Sequence, residues 1–222
     1  MLDITWLTDA NLANTKTFGV AGVNALGTMT WDTANRWITA MNADGGTGYL
    51  GINNWRLPTL SPLDGSSTFN TNFSNNGTTD FGEGATGVGW QFAGKFVSEM
   101  GYMYYANLAN LGICTPNGSG SSSSCDIQAG FGLTNTAPFS NLTPNVDYWS
   151  GLEINNFVAG RFFFRNGLQD GGSKGEVLRA WAVRSGDVAA TVPEPGSVLL
   201  VGAGLIRLIG VKRSKRRGAS VI

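Results

Sequence analysis

Apolar side chains recur at helical spacing in two stretches of this chain and at alternating spacing in several others. Over residues 31–42, Trp31, Ala34, Ile38 and Met41 mark one face, Thr30 stands where an N-cap belongs, and Asp32 lies in the first turn, where a carboxylate complements the helix dipole. A helix is predicted there. A second is predicted over 98–110, with Met100, Met103, Tyr104, Leu108 and Leu111 as its stripe and Gly112 as its end. Trp37 and Tyr105 sit beside these stripes and are expected in the core.

Alternation takes over elsewhere. Residues 4–7 and 147–151 read as short strands. Phe162-Phe163-Phe164 leads to Asn166-Gly167, a two-residue hairpin signal, and then to Leu168-Gln169. Val177, Arg179, Trp181 and Val183 alternate with Leu178, Ala180, Ala182 and Arg184, as one sheet strand would. Helices first and a sheet later predict an α+β fold. The Gly/Asn/Ser/Thr-rich stretches 61–89 and 115–124 read as long loops, which a compact domain tolerates mainly where they are functional or mobile. The sequons at Asn72 and Asn141 are what an Asn-rich chain produces by chance.

Composition narrows the chemistry. The 222 residues are 42% hydrophobic and only 14% charged, with 32 glycines, which suits one loop-rich domain and not a helical bundle. The net charge of zero conceals an asymmetry: residues 1–194 hold all 15 acidic but nine basic side chains, for a formal −6, and the remaining six basic residues begin at Arg207. An acidic body argues against nucleic acid as its partner, because phosphate binding needs a basic face. The chain has no histidine, which removes Ser-His-Asp and Cys-His catalysis and every His-based metal site. Carboxylate chemistry and oxygen-ligated calcium are compatible with the composition, but there is no dense Asp/Asn/Glu run of the EF-hand type, so neither metal nor cofactor is expected. Cys114 and Cys125 flank a Ser/Gly-rich stretch. Two thiols are too few for a structural zinc site and the spacing is not CxxC, so a disulfide closing a surface loop is expected.

The C-terminus carries the most specific pattern. Val192-Pro193-Glu194-Pro195-Gly196 is followed by an apolar run over 196–211, whose one charged residue is Arg207, and then by the basic residues Lys212, Arg213, Lys215, Arg216 and Arg217. The prolines bar regular structure ahead of the run. As a helix, 16 residues would span roughly 24 Å, short for a bilayer core of about 30 Å, and Arg207 would snorkel toward the basic end, which the positive-inside rule keeps cytoplasmic. This three-part tail resembles the PEP-CTERM sorting signal of Gram-negative bacteria. That resemblance implies a partner, an exosortase-type membrane protease acting near Pro193-Glu194-Pro195, passage through the inner membrane, and export to the cell surface or the extracellular matrix. Arg207 is a departure that weakens the hydrophobic segment. The expected division is a globular domain over 1–188, a sorting signal over 189–217 (motif 192–196, apolar helix 196–211, basic end 212–217) and a tail over 218–222. Met1-Leu2-Asp3-Ile4-Thr5-Trp6 is not an export signal, so residues upstream of Met1 are expected to belong to the exported precursor.

The body also carries ordered motifs: Asn54-Trp55-Arg56-Leu57-Pro58-Thr59, Ser98-Glu99-Met100, Tyr148-Trp149-Ser150-Gly151-Leu152-Glu153 and Ala180-Trp181-Ala182-Val183-Arg184. Their order resembles the Lcl C-terminal domain, which implies a C-type-lectin-like fold and adhesion to glycans. Trp-Arg-Leu-Pro-Thr also occurs in formylglycine-generating enzymes, but Cys114 and Cys125 lie outside it, so that chemistry does not carry over. Physically, Trp55, Trp149 and Trp181 read as core, Pro58 as a turn, and Arg56 as the partner of a carboxylate, with Glu99 a candidate. The expectation is a non-enzymatic binding module for extracellular polysaccharide, neutral because the body is acidic. A carboxylate-based enzyme and a structural passenger without specific ligand are the alternatives.

Overall fold

In a computed structural model of the chain, residues 3–84, 91–92, 95–116 and 125–186 are described. All belong to one unit, Met1–Asp187. The sorting motif, the apolar run and the basic end lie outside the described residues.

Helix α1 runs Trp31–Ala43, and the Thr30 side chain accepts a hydrogen bond from the Thr33 backbone N–H. The expected apolar face is buried: Trp31, Ala34, Trp37, Ile38 and Met41 all turn inward. The second helix differs from the expectation. Ser98 caps it, but only Glu99–Tyr102 (α2) is α-helical, and Met103–Asn107 continues as a π-helical turn. The chain leaves at Ala109, which has φ of 50°, and not at Gly112.

The strands are β1 (Ile4–Trp6), β2 (Thr28–Met29), β3 (Phe73–Ser74), β4 (Phe81–Glu83), β5 (Gln91–Phe92), β6 (Lys95–Phe96), β7 (Tyr148–Glu153), β8 (Val158–Phe163), β9 (Leu168–Ser173), β10 (Leu178–Arg179) and β11 (Val183–Ser185). Seven form one mixed sheet in the order β2-β10-β7-β8-β9-β4-β3, β1 pairs with β11, and β5 pairs with β6. The class is α+β, with sheet dominating among the described residues.

The sheet is centred on the antiparallel meander β7-β8-β9, which puts Trp149 opposite Arg161, and Phe162 opposite Gln169. Three readings change here. The β8–β9 connection is a four-residue loop, 164–167, not a two-residue turn: Phe163 pairs with Leu168, and the Gly167 N–H reaches back to the Phe163 carbonyl at 2.9 Å. The stretch 177–184 is two strands, because residues 180–182 carry the chain from the large sheet (β10) to the small one (β11). The stretch 61–89 is not all loop, since β3 and β4 lie within it and β4 pairs with β9. Gly82 allows this edge: its φ is 107°, and a Cβ there would lie 2.0 Å from the Ser74 carbonyl oxygen.

The core is aromatic. Trp37, Trp149, Trp181, Tyr104, Tyr148, Phe162 and Phe164 are completely buried. Burying an indole strands its N–H unless an acceptor is supplied. Here Trp31, Trp37, Trp55, Trp149 and Trp181 donate to the carbonyls of Ser150, Lys16, Tyr49, Met29 and Leu7, at 2.7–3.2 Å. Each acceptor is distant in sequence or on an irregular segment, so the indoles tie loops to the frame as well as filling it. Among the described residues no helix is long and apolar enough to cross a membrane.

Candidate functional site

The Trp-Arg-Leu-Pro-Thr segment is an irregular strand laced to three elements. The Asn42 side chain of α1 accepts from the Trp55 N–H and donates to its carbonyl, both at 2.8 Å. Arg56 exchanges backbone hydrogen bonds with Val183 of β11 at 2.8 and 2.9 Å. Further along, the Gly151 N–H of β7 donates to the Pro58 carbonyl at 2.8 Å.

The Arg56 guanidinium then closes on Glu99 as a two-pronged pair, Nη1 to Oε2 at 2.7 Å and Nη2 to Oε1 at 2.8 Å. Glu99 also accepts from the Thr59 N–H at 2.7 Å. Such a fork fixes both side chains in one plane. It joins the segment to the start of α2 and neutralises the arginine charge in place.

Arg56, Leu57 and Gly151 line a cleft of about 430 Å³. Asn35 and Thr39 of α1 form one polar wall and Thr59 and Ser61 the other, over an apolar floor that includes Ile38, Leu60 and Leu152. No carboxylate lines it among the described residues. A cleft of amides, hydroxyls and aliphatic carbon, with its single cation already paired, suits an uncharged, hydroxyl-rich ligand.

The other motif residues go elsewhere. Trp149 and Trp181 are buried in the core and are not among the residues that line this cleft. Glu153 is half exposed and pairs with Lys174, whose ammonium also lies 4.7 Å from the centroid of the Trp31 ring. Arg184 sits on β11 opposite Thr5. Cys114 and Cys125 are joined by a disulfide. Cys114 is buried, and its N–H donates to Glu83 at 2.9 Å. Closing a loop of 11 residues' separation contributes about 3 kcal/mol by the chain-entropy estimate. Among the described residues no group of three or more acidic or cysteine side chains could hold a metal ion.

Sequence reasoning missed a second charged cluster. Arg161 of β8 pairs with Asp170 across the β8–β9 ladder at 2.6 Å and with Glu176. Its guanidinium and that of Arg165 lie 4.7 and 4.9 Å from the centroid of the Phe163 ring. Asp147 is close enough to feel both arginines, yet burial dominates and pushes its carboxyl up to about 6. The only trace in sequence is that charged residues interrupt apolar strands. Burial likewise raises Asp170 and Glu83.

A pH effect follows. A carboxyl whose folded pKa lies above its unfolded value favours the folded state most below the unfolded value, and that contribution is lost as pH rises through the folded pKa. For Asp147 the window runs from about 4 to about 6. The side chain is partly exposed, so the full shift is discounted for solvent screening to about 1–2 kcal/mol. Asp147→Asn is expected to reduce by that amount the stability lost between pH 4 and pH 7, read as denaturant midpoints at both. An unchanged difference would mean that Asp147 titrates as it does in the unfolded chain.

The PEP-CTERM protein-sorting motif matches residues 191–217. It covers Val192-Pro193-Glu194-Pro195, the apolar run and the basic end, and indicates export through an exosortase system toward the cell surface. No curated protein and no solved structure matches the chain.

Proposed function

We propose that this chain belongs to the precursor of a surface-displayed polysaccharide-binding protein. Its tail is held in the inner membrane by the 196–211 segment with Lys212–Arg217 on the cytoplasmic side, and the exosortase releases the body near Pro195. The body then binds neutral extracellular polysaccharide on a C-type-lectin-like frame. The pairing of the first and last described strands, β1 with β11, supports that frame by gathering both ends of the domain at one edge and leaving the irregular segments to form binding surface.

The observation that carries the binding reading is the Arg56–Glu99 cleft, walled by amides and hydroxyls with its one cation neutralised. Sugar hydroxyls both donate and accept, and Asn, Ser and Thr side chains can answer both roles. We read the body as non-enzymatic. Glycoside hydrolysis needs two carboxyls facing one cleft, whereas Glu99 is committed to Arg56 and to the Thr59 N–H.

Binding of the full, disulfide-bonded chain to an array of neutral glycans tests the reading. Ser61→Trp, which fills the cleft from an exposed position, is expected to weaken binding about tenfold or more. An array without a hit removes the glycan and leaves a passenger. Processing has its own test, the intact mass of protein recovered from the surface of its host. A C-terminus near Pro195 is expected. A chain ending at Ile222 in the membrane fraction would make the tail a plain anchor.

A further inference from the structure

A second concave surface lies where the π-helical turn ends. Asn107 and Leu108 form one side and Thr134, Asn135, Thr136 and Ala137 the other, enclosing about 430 Å³. It shares no residue with the Arg56 cleft.

Three features show that this surface is built and held. First, Met103–Asn107 is π-helical, a rare widening of the helix that is frequently found at functional sites. Second, Ala109 takes a left-handed conformation, φ 50°, which a side chain adopts only when its surroundings impose it. Third, Asn110, completely buried, spans the two sides with four hydrogen bonds. Its Oδ1 accepts from the Thr134 N–H, the Thr134 hydroxyl and the Asn135 N–H, and its Nδ2 donates to the Asn135 carbonyl, all at 2.8–3.0 Å. The loop is fixed beyond that point as well, because the Phe139 ring packs 4.9 Å from that of Trp181.

The lining has one chemical character. It contains no ionisable side chain among the described residues. The side chains of Asn107, Asn135 and Thr136 make no hydrogen bond among those residues, so their amide and hydroxyl groups are open to a ligand. Leu108 supplies an apolar floor. Uncommitted donors and acceptors on a fixed frame lower the ordering cost of binding a neutral polyhydroxylated molecule.

We propose that this Asn/Thr cleft is a second saccharide subsite, taking a neutral sugar unit. The proposal rests on the polysaccharide reading above and extends it: with two separate clefts, one body holds two segments of glycan.

The test is a titration of the full, disulfide-bonded, 15N-labelled chain with neutral hexasaccharides (cellohexaose, laminarihexaose, maltohexaose and mannohexaose), with an oligoguluronate as the anionic control. Amide shifts at 107–108 and 134–137 are expected with at least one neutral probe. Binding there should be unchanged between pH 5 and pH 8, because nothing in the lining titrates. In the Asn107→Ala/Asn135→Ala protein, affinity at this cleft should fall about tenfold or more, with shifts at the Arg56 cleft retained. Both positions are exposed, so the fold should be kept. Shifts confined to Thr59 and Ser61 would overturn this inference and leave the proposed function standing. Shifts confined to 134–137 would support the inference and remove the Arg56 cleft from the function. No shift with any neutral probe would sink both, and tighter binding of oligoguluronate at 134–137 would overturn the assignment to a neutral ligand.

Discussion

Replacing Trp181 by alanine is expected to lower the free energy of unfolding by about 4–5 kcal/mol, at the upper end for a buried aromatic truncation. Trp181 has no exposed surface. Its ring lies 4.4 Å from that of Trp6, 4.9 Å from Phe139, 5.8 Å from Phe164 and 6.1 Å from Tyr148, centroid to centroid. Its N–H donates to the Leu7 carbonyl at 2.7 Å. The substitution therefore opens a cavity where the β1–β11 pair, the Phe139 loop and the β8–β9 turn meet, and leaves a buried carbonyl without its indole donor. Domains hold only about 5–15 kcal/mol in total, so the variant should sit near the edge of folding. Trp181→Phe separates the two losses: it keeps most of the ring contacts and forfeits the hydrogen bond, for about 1–2 kcal/mol. Guanidinium unfolding of the three proteins checks this. A loss below about 1 kcal/mol for the alanine variant would mean that the site collapses around the missing ring.

The same residue shows how far the sequence could be read. Alternation around Trp181 is real, and Leu178, Ala180, Trp181, Ala182 and Val183 are all buried. What alternation cannot convey is that residues 180–182 leave one sheet for another. Burial on both sides of that crossing looks like continuous strand. The first helix was legible because cap, dipole and stripe agree at Thr30, Asp32 and Trp31–Met41. In the second, a stripe of Met100, Met103, Tyr104 and Leu108 marks the buried face equally well for α- and π-helical turns, so the wider turn was hidden. Gly112 looked like a helix stop, but its smallness serves packing: a Cβ there would lie 2.5 Å from a Glu83 carboxylate oxygen and 2.8 Å from the Tyr105 hydroxyl. The edge strands β3 and β4 were masked by polar composition. Their segment is ordered by Asp80, whose carboxylate accepts from the Leu63 and Asn70 N–H groups at 2.5 and 2.6 Å.

The site divides along the same line. A sorting tail is a linear signal whose parts act in sequence order, so no tertiary arrangement is needed to read it. The cleft is the opposite case. Asn35 and Thr39 lie one turn apart on the outer face of α1 and read as an ordinary solvated face. They become a wall only because residues 59–61 are brought alongside by the hydrogen bonds from Ser61 N–H to Val97 O and from Glu99 N–H to Thr59 O. Asn110 is equally silent in sequence, one asparagine in an Asn-rich chain, and its four hydrogen bonds appear only in the fold.

Arg56→Ala is expected to cost about 3 kcal/mol, more than an exposed ion pair of the same geometry would. The Glu99 side chain is only 8% exposed against 30% for Arg56, so the loss falls chiefly on the carboxylate left behind. Its remaining partner would be the Thr59 N–H, one neutral donor in place of a charged fork. Arg56→Lys should recover only part of this, because an ammonium cannot engage both carboxylate oxygens in the same plane. Glu99→Gln should cost less than Arg56→Ala, since the cation it strands reaches solvent. Removing both charges together, as Arg56→Met/Glu99→Gln, should then be cheaper than the sum of the single losses by about 2 kcal/mol, the coupling expected of a desolvated pair. Denaturant midpoints of the four proteins, together with Arg56→Met, measure it. Strict additivity would mean that the pair contributes no mutual stabilisation, and that the segment is held by its other hydrogen bonds, to the Asn42 side chain and to the backbones of Val183, Gly151 and Glu99. The predicted coupling places the fork itself among the supports of the cleft wall. On the proposed glycan-binding reading, the singly substituted proteins should then lose glycan affinity along with stability, while the doubly substituted protein recovers stability first.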